Sequence, residues 1–186
     1  MIEIFKYDDI TLGVTPIEAD PDRTRTEREH AAVRAIIARF FGVDARIGHS
    51  DTGAPYLVGR EDISLTVSHS RDYAAVAFSS ERTIGVDIEQ WREQLLRVAP
   101  RVLSESEMAV YGVSSDLLLR AWTMKEALYK AALTPGLDFR RDITLPSHPA
   151  STAATVAGRP YTIIATLTIA PDTLTLVAED KGQSSI

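Results

Sequence analysis

Apolar and polar residues alternate in the stretch IGVDIEQ, Ile84 to Gln90. A period of two is typical of a half-buried strand, on which successive side chains point to opposite faces. Ile84, Val86 and Ile88 would therefore occupy one face, and Asp87 and Glu89 would share the other. Two neighbouring carboxylates repel each other, so the pattern raises the question of what offsets their charge.

The same periodicities divide the rest of the chain into elements. Alternation predicts strands in IEIFKY, ISLTVSHS, YAAVAFSS, YTIIATLTI and DTLTLVAED, and SDTGAPYLVG reads as a turn followed by a short strand. Helical spacing predicts one helix over 24–42, two short helices over 91–100 and 104–112, and a long helix over 114–133. The segment 134–160 is expected to be loop-rich, and the tail KGQSSI is expected to fray. This order of elements permits two related halves.

The long helix over 114–133 carries the most informative pattern. Its buried face is predicted to be a stripe at spacings of four and three residues: Leu117, Ala121, Met124, Leu128 and Ala131. Glu126 and Lys130 lie on the far side and, four residues apart, are neighbours on the helix surface. Either they form a simple ion pair within the helix, or they belong to a functional site in mostly apolar surroundings.

Asp87, Glu89 and Glu126 together form a candidate metal site. Magnesium takes oxygen ligands and commonly combines one or two carboxylates with substrate phosphates. A hard cation between the strand and the helix would offset the repulsion between the two neighbouring carboxylates. The alternative is that all three are solvated surface carboxylates.

Composition narrows the classes of function. The 186 residues are 45% hydrophobic and 25% charged, which are ordinary globular values. A net charge of −6 argues against a broad nucleic-acid surface, and the absence of cysteine excludes disulfides and thiolate chemistry. We find no apolar run long enough to span a membrane and no signal-peptide pattern, and we expect a cytoplasmic protein that binds neither membrane nor nucleic acid.

Several motifs, in this order, resemble those of the 4'-phosphopantetheinyl transferases. IGVDIE followed by WTMKEALYKA resembles the paired signature of that family, Gly-x-Asp-x-Glu and Trp-x-x-Lys-Glu-x-x-x-Lys. SDTGAPYL, VSHS and RVLSESE resemble three further family segments, with Ala54 where the turn usually carries lysine. The chain length is similar to that of the pseudo-dimeric, surfactin-type branch.

The resemblance implies a fold and a reaction. The fold would be α+β, a single domain over 1–186 built of two similar halves, approximately 1–89 and 90–186, related by a pseudo-twofold axis. Each half would be a helix packed on a small antiparallel sheet, with the active site in the cleft between them. The enzyme would move the phosphopantetheine arm of coenzyme A onto a serine of an apo acyl or peptidyl carrier protein, releasing adenosine 3',5'-bisphosphate, and would act as a monomer.

The resemblance also assigns roles to residues. Asp87, Glu89 and Glu126 would hold Mg²⁺, or Mn²⁺ in its place, against the pyrophosphate of coenzyme A. Glu126 would activate the serine hydroxyl, and Lys130 would neutralise or protonate the leaving side. The other coenzyme A contacts implied by the family are the 3'-phosphate ligands, a basic pair at the start of the first helix, and the turn beside the adenine: Ser68, His69, Arg25, Arg28, Gly53 and Pro55.

The sequence leaves two other functions open. A different magnesium-dependent enzyme acting on phosphoanhydrides, such as a hydrolase of nucleotide-like diphosphates, would need the carboxylates but no carrier protein. A catalytically silent module that binds coenzyme A or a carrier protein would need neither Glu126 nor Lys130 to be active.

Overall fold

A computed structural model of the protein describes residues 1–181. The strands are β1 (Glu3–Tyr7), β2 (Ile10–Pro16), β3 (Ile47–His49), β4 (Pro55–Leu57), β5 (Ser64–His69), β6 (Tyr73–Ser79), β7 (Ile84–Gln90), β8 (Ile143–Thr144), β9 (Ala153–Val156), β10 (Arg159–Ile169) and β11 (Asp172–Glu179). The helices are α1 (Arg25–Phe41), α2 (Gln94–Val102), α3 (Glu105–Tyr111) and α4 (Ser115–Ala132). The predicted fraying of the tail concerns residues 181–186, of which 182–186 lie outside the described part.

Two antiparallel sheets form the centre of the molecule. The first has the strand order β1-β2-β6-β5 and the second the order β7-β11-β10-β9-β8, while β3 and β4 form a separate two-stranded ribbon. Apolar side chains of both sheets, including Leu12 and Ala77 of the first and Val86 and Leu176 of the second, make one buried cluster. The two sheets therefore pack face to face.

One helix covers the outer side of each sheet. Ile36 and Ile37 of α1 pack on Val76 of the first sheet, and Met124 and Leu128 of α4 belong to the cluster that contains Val177 of the second. The predicted mixed fold, with helices packed on antiparallel sheets, is confirmed at this level. The pseudo-twofold relation and the boundary near residue 89 stay predictions. β7, which precedes that boundary, pairs with β11 and so belongs to the second sheet.

The helix boundaries follow from local capping. Thr24 and Glu27 make a reciprocal capping box at the start of α1, and Gly42 ends it with a φ of 90°. Ser104 and Glu107 make the same box at the start of α3. None of the helices within residues 1–181 is both long enough and apolar enough to cross a membrane.

Four strands were not predicted, and one of them, β3, pairs with β4 in the separate ribbon. β2 follows β1 directly through a tight turn in which Asp8 has a φ of 49°, and the connection expected to be loop-rich contains the short strands β8 and β9. Both additions extend the two sheets at or near their outer edges, away from the strands that carry Asp87 and Ser68.

Candidate active site

The edges of the two sheets meet along β5 and β7. The backbone N–H groups of Ile84, Val86 and Ile88 donate to hydroxyl oxygens of β5, to Ser64 at 3.3 Å, Thr66 at 3.2 Å and Ser68 at 3.2 Å. This ladder of side-chain acceptors satisfies donors that an edge strand would otherwise leave unpaired. It also fixes the register of the two strands, so that Ser68 donates to Asp87 Oδ1 at 2.9 Å.

The glycine of IGVDIE allows α4 to approach β7 closely. A Cβ on Gly85 would lie 1.9 Å from the carbonyl oxygen of Ala127 and 2.8 Å from the backbone nitrogen of Ala131. Only a residue without a side chain fits between the strand and the helix at this point. Because Glu126 and Lys130 flank this contact on the helix, the approach brings both to the strand face that carries Asp87.

Lys130 pairs with the strand and not with its helical neighbour. Its Nζ donates to Asp87 Oδ1 at 2.8 Å, to Ser68 Oγ at 3.1 Å and to the carbonyl of Val86 at 3.1 Å. No hydrogen bond joins it to Glu126 within the described residues. The simple ion pair between Glu126 and Lys130, one of the two alternatives from the sequence, is therefore absent. Lys130 instead balances the charge of Asp87.

Lys125, which directly precedes Glu126 in α4, joins this helix to other elements. This fully buried lysine donates to Glu107 Oε1 at 2.9 Å and to the carbonyl of Phe139 at 2.8 Å. Glu107 also accepts from the backbone nitrogen of Leu145 at 2.8 Å. The buried pair thus joins α3, α4 and the segment before β8, consistent with a structural role for this lysine.

Each of the three acids has a different environment. Asp87 is 4% exposed, and its second oxygen, Oδ2, is buried with no hydrogen-bond partner among the described residues. Both carboxylate oxygens of Glu89 lie 3.0 Å from Nη2 of Arg92. Burial raises the pKa of Glu126 to about 7, together with the negative charges of Asp87 and Glu89 and against the opposing charge of Lys130. Burial also raises the pKa of Glu89, as does the charge of Asp87.

The donor set suits a hard cation, although it is not assembled as a coordination sphere. All three acids line the same cavity, and the unpartnered Oδ2 of Asp87 is a free ligand atom. Within residues 1–181, however, no group of three or more histidine and carboxylate side chains is arranged to hold a metal ion. The metal-binding roles of Asp87, Glu89 and Glu126 stay predictions.

The acids lie at one part of a cavity of about 940 Å³ between α1, the β3–β4 ribbon, β5 and the end of α4. This volume is within the range of small-molecule and cofactor sites. Eight of the residues predicted for the site line it: Gly53, Pro55, Ser68, His69, Asp87, Glu89, Glu126 and Lys130. The sequence motifs that supplied these residues therefore converge on one cavity.

Arg25 and Arg28 are not among the residues that line the cavity. Arg25 donates to Glu29 at 2.6 Å, and Nε of Arg28 is buried without a partner among the described residues. Glu29 lies in turn 3.6 Å from Nδ1 of His69, so Arg25 reaches the cavity wall only through that carboxylate. The coenzyme A contacts assigned to the two arginines stay predictions.

Sequence reasoning missed four basic residues of the cavity wall. His30 and Arg34 of α1, and Arg46 and His49 beside β3, line it together with the predicted residues. A signal existed on α1, because His30, Val33, Arg34 and Ile37 follow the i, i+3, i+4, i+7 spacing of one helix face. Arg46 directly precedes β3 and His49 ends it, and no local pattern predicts the pairing of this short strand with β4.

Comparison with known proteins is consistent with this geometry. Residues 83–172 match the family model of the 4'-phosphopantetheinyl transferase superfamily. This part of the chain is similar to the 4'-phosphopantetheinyl transferase superfamily. The match covers β7, α4 and the motifs of Asp87, Glu89, Glu126 and Lys130, and it confirms the resemblance seen in the sequence. A search of curated proteins found no match to the chain. Phosphopantetheinyl transferases use coenzyme A as substrate and act on carrier proteins.

Proposed function

We propose that this protein transfers the 4'-phosphopantetheine group of coenzyme A to a serine of an apo acyl or peptidyl carrier protein and releases adenosine 3',5'-bisphosphate. The observation that carries the proposal is the convergence of Asp87, Glu126 and Lys130 on one cavity, through the close contact at Gly85. Since a single chain supplies all these groups, we also propose a monomer of the surfactin-type branch.

Glu126 and Lys130 have complementary roles in this reaction. The serine oxygen forms a bond to the phosphorus next to the pantetheine, and the bond from that phosphorus to the bridging oxygen of the pyrophosphate breaks. Glu126 accepts the serine proton, directly or through a water molecule, as a carboxylate in reach of a nucleophile can. Lys130 neutralises the negative charge that develops on the departing phosphate.

Asp87, Glu89 and Glu126 would hold Mg²⁺, or Mn²⁺ in its place. A divalent ion bound there supplies positive charge to the pyrophosphate oxygens. The unpartnered Oδ2 of Asp87 supports the assignment, because a buried carboxylate oxygen without a donor is costly unless something binds it. Ser68 and Lys130 keep the other oxygen of Asp87 fixed, so the free one has a defined position.

The remaining cavity wall supports an anionic, nucleotide-containing ligand. Ser68 and His69 are assigned to the 3'-phosphate, and the Gly53–Pro55 turn to the adenine. Arg34 and Arg46 add two positive charges to the same wall. These two charges compensate for the positive charge that is missing at Ala54, where the family usually carries a lysine.

The experiment is incubation of the protein with coenzyme A, Mg²⁺ and a panel of apo-carrier proteins, followed by intact mass. The expected result is the mass increase of one phosphopantetheine group on at least one carrier. Glu126→Gln should slow transfer by at least ~10²-fold, the smaller effect typical of a lost general base. Lys130→Ala removes the charge that neutralises the departing phosphate and should also slow transfer, whereas its control, Lys6→Ala on exposed β1, should transfer normally.

Two outcomes would contradict the proposed reaction and favour an alternative, and a third would contradict only the proposed metal-binding roles. Hydrolysis of coenzyme A with every carrier unmodified would favour a phosphoanhydride hydrolase. Binding of coenzyme A without turnover would favour a silent module. Full transfer in excess chelator would leave the reaction intact and refute the metal-binding roles of Asp87, Glu89 and Glu126.

A further inference from the structure

Glu89 is engaged by a cation of the protein itself. Arg92, three residues further along the chain, places Nη2 at 3.0 Å from both Oε1 and Oε2 of this carboxylate. The backbone of Arg92 is held at the start of α2, where its carbonyl accepts from the N–H of Leu95 at 2.9 Å. The turn between β7 and α2 therefore positions the backbone of Arg92, and its side chain reaches Glu89 from this turn.

Arg92 approaches Glu89 from outside the cavity. Its side chain is 55% exposed and that of Glu89 is 24% exposed, and Arg92 is not one of the residues that line the cavity. Lys130, the counter-ion of Asp87, does line it. Glu89 thus has its positive partner on the solvent side, while its place in the cavity wall leaves it accessible to a ligand from within.

The guanidinium of Arg92 opposes a metal ion at Glu89 through its charge. Both oxygens of Glu89 accept from a single nitrogen of Arg92, which leaves each oxygen a further lone pair, so a divalent cation can bind the carboxylate but is repelled by the guanidinium and competes with it for the same negative charge. The contact is partly exposed, and ion pairs of this kind contribute little to stability. A divalent cation can therefore bind Glu89 in spite of Arg92, but with a lower affinity than it would have without the guanidinium.

We propose that Arg92 competes with a hard divalent cation for Glu89 and thereby sets the cation affinity of the site. Arg92 is a positioning residue, since it acts through Glu89 and touches no reacting atom. The inference rests on the metal-binding role of Glu89 in the proposed function.

The test is Mn²⁺ binding to the full-length chain, measured by electron paramagnetic resonance without coenzyme A or carrier protein. Arg92→Gln removes the competing charge and should bind Mn²⁺ about two- to fivefold more tightly, the range expected for an exposed ion pair. Arg92→Lys keeps a cation at this position and should remain closer to wild type. Arg97→Gln, on the exposed side of α2, is the matched control for the loss of one positive charge and should change little.

The outcomes separate this inference from the function it rests on. Unchanged or weaker Mn²⁺ binding by Arg92→Gln would overturn the inference, as would equal tightening by Arg97→Gln, which would indicate a general effect of net charge. In either case saturable binding by wild type leaves the metal site of the proposed function intact. Absence of saturable binding by wild type and Arg92→Gln would overturn both.

Discussion

Replacing Glu126 by glutamine is expected to stabilise the metal-free protein at neutral and alkaline pH. Burial and the charges of Asp87 and Glu89 raise the pKa of Glu126 from 4.5 to about 7. The folded protein therefore holds a proton that the unfolded chain releases, and its stability falls as pH rises from about 4.5 through about 7. Glutamine imitates the protonated carboxyl and does not titrate, so the variant lacks this loss.

The size of the effect follows from the two pKa values. A rise from 4.5 to about 7 corresponds to roughly 3 kcal/mol in the free energy of unfolding, of which about 2 kcal/mol should appear between about pH 5 and pH 8. The variant and wild type should unfold alike near pH 4.5 and diverge progressively above it. Reorientation of Lys130 towards an ionised Glu126 would reduce the difference.

The assay is urea unfolding in the presence of a chelator, at a series of pH values, for wild type and Glu126→Gln. Glu105→Gln, at the exposed start of α3, is the control for removal of one negative charge. A stability difference that is the same at both ends of the pH range would refute the argument from burial and like charge. Added Mg²⁺ and coenzyme A should reverse the order, because ligands that bind the ionised carboxylate stabilise only wild type.

Three further substitutions test other parts of the structure. Gly85→Ala should destabilise the protein by about 3 kcal/mol or more and reduce transfer, because its Cβ would meet the carbonyl of Ala127 at 1.9 Å; near-normal urea unfolding would refute the close contact. Lys125→Met leaves the buried Glu107 unpaired and should cost about 3–5 kcal/mol while folded molecules retain coenzyme A binding, measured by unfolding and calorimetry. His69→Ala should weaken coenzyme A about ten- to a hundredfold, and 3'-dephospho-coenzyme A less; equal losses in calorimetry would refute contact with the 3'-phosphate.

Sequence patterns predicted most elements because their signals are local. The capping residues Thr24 and Ser104 and the stop at Gly42 stand where the structure uses them. β2 had the same kind of signal, since Ile10, Leu12 and Val14 alternate and are buried, but it follows β1 without the usual run of turn residues. β8 and β9 are only two and four residues long, too short for a period of two to be distinguished from chance.

The candidate site was predictable as a set of residues and not as a set of contacts. The spacing of Glu126 and Lys130 describes neighbours on one helix, and it cannot reveal that Lys130 reaches a strand 43 residues away in sequence. That partner depends on the approach of α4 to β7 at Gly85, which is a property of the packed molecule. The basic cavity wall of Arg34 and Arg46 likewise arises only when α1 and the segment at β3 come together.

The geometry explains how adjacent acids are tolerated on β7. Asp87 is balanced by Lys130 from α4, Glu89 by Arg92 from the turn before α2, and Glu126 by a proton that its raised pKa of about 7 retains. The three negative charges are thus offset by three different groups, which differ in how easily they are displaced. Lys130 is tied to three acceptors and stays in place, whereas an exposed guanidinium and a proton with a pKa near neutrality are easily displaced. A divalent cation entering the cavity can therefore take over from Arg92 at Glu89 and from the proton at Glu126, without disturbing the pair of Lys130 and Asp87 that aligns the helix with the strand.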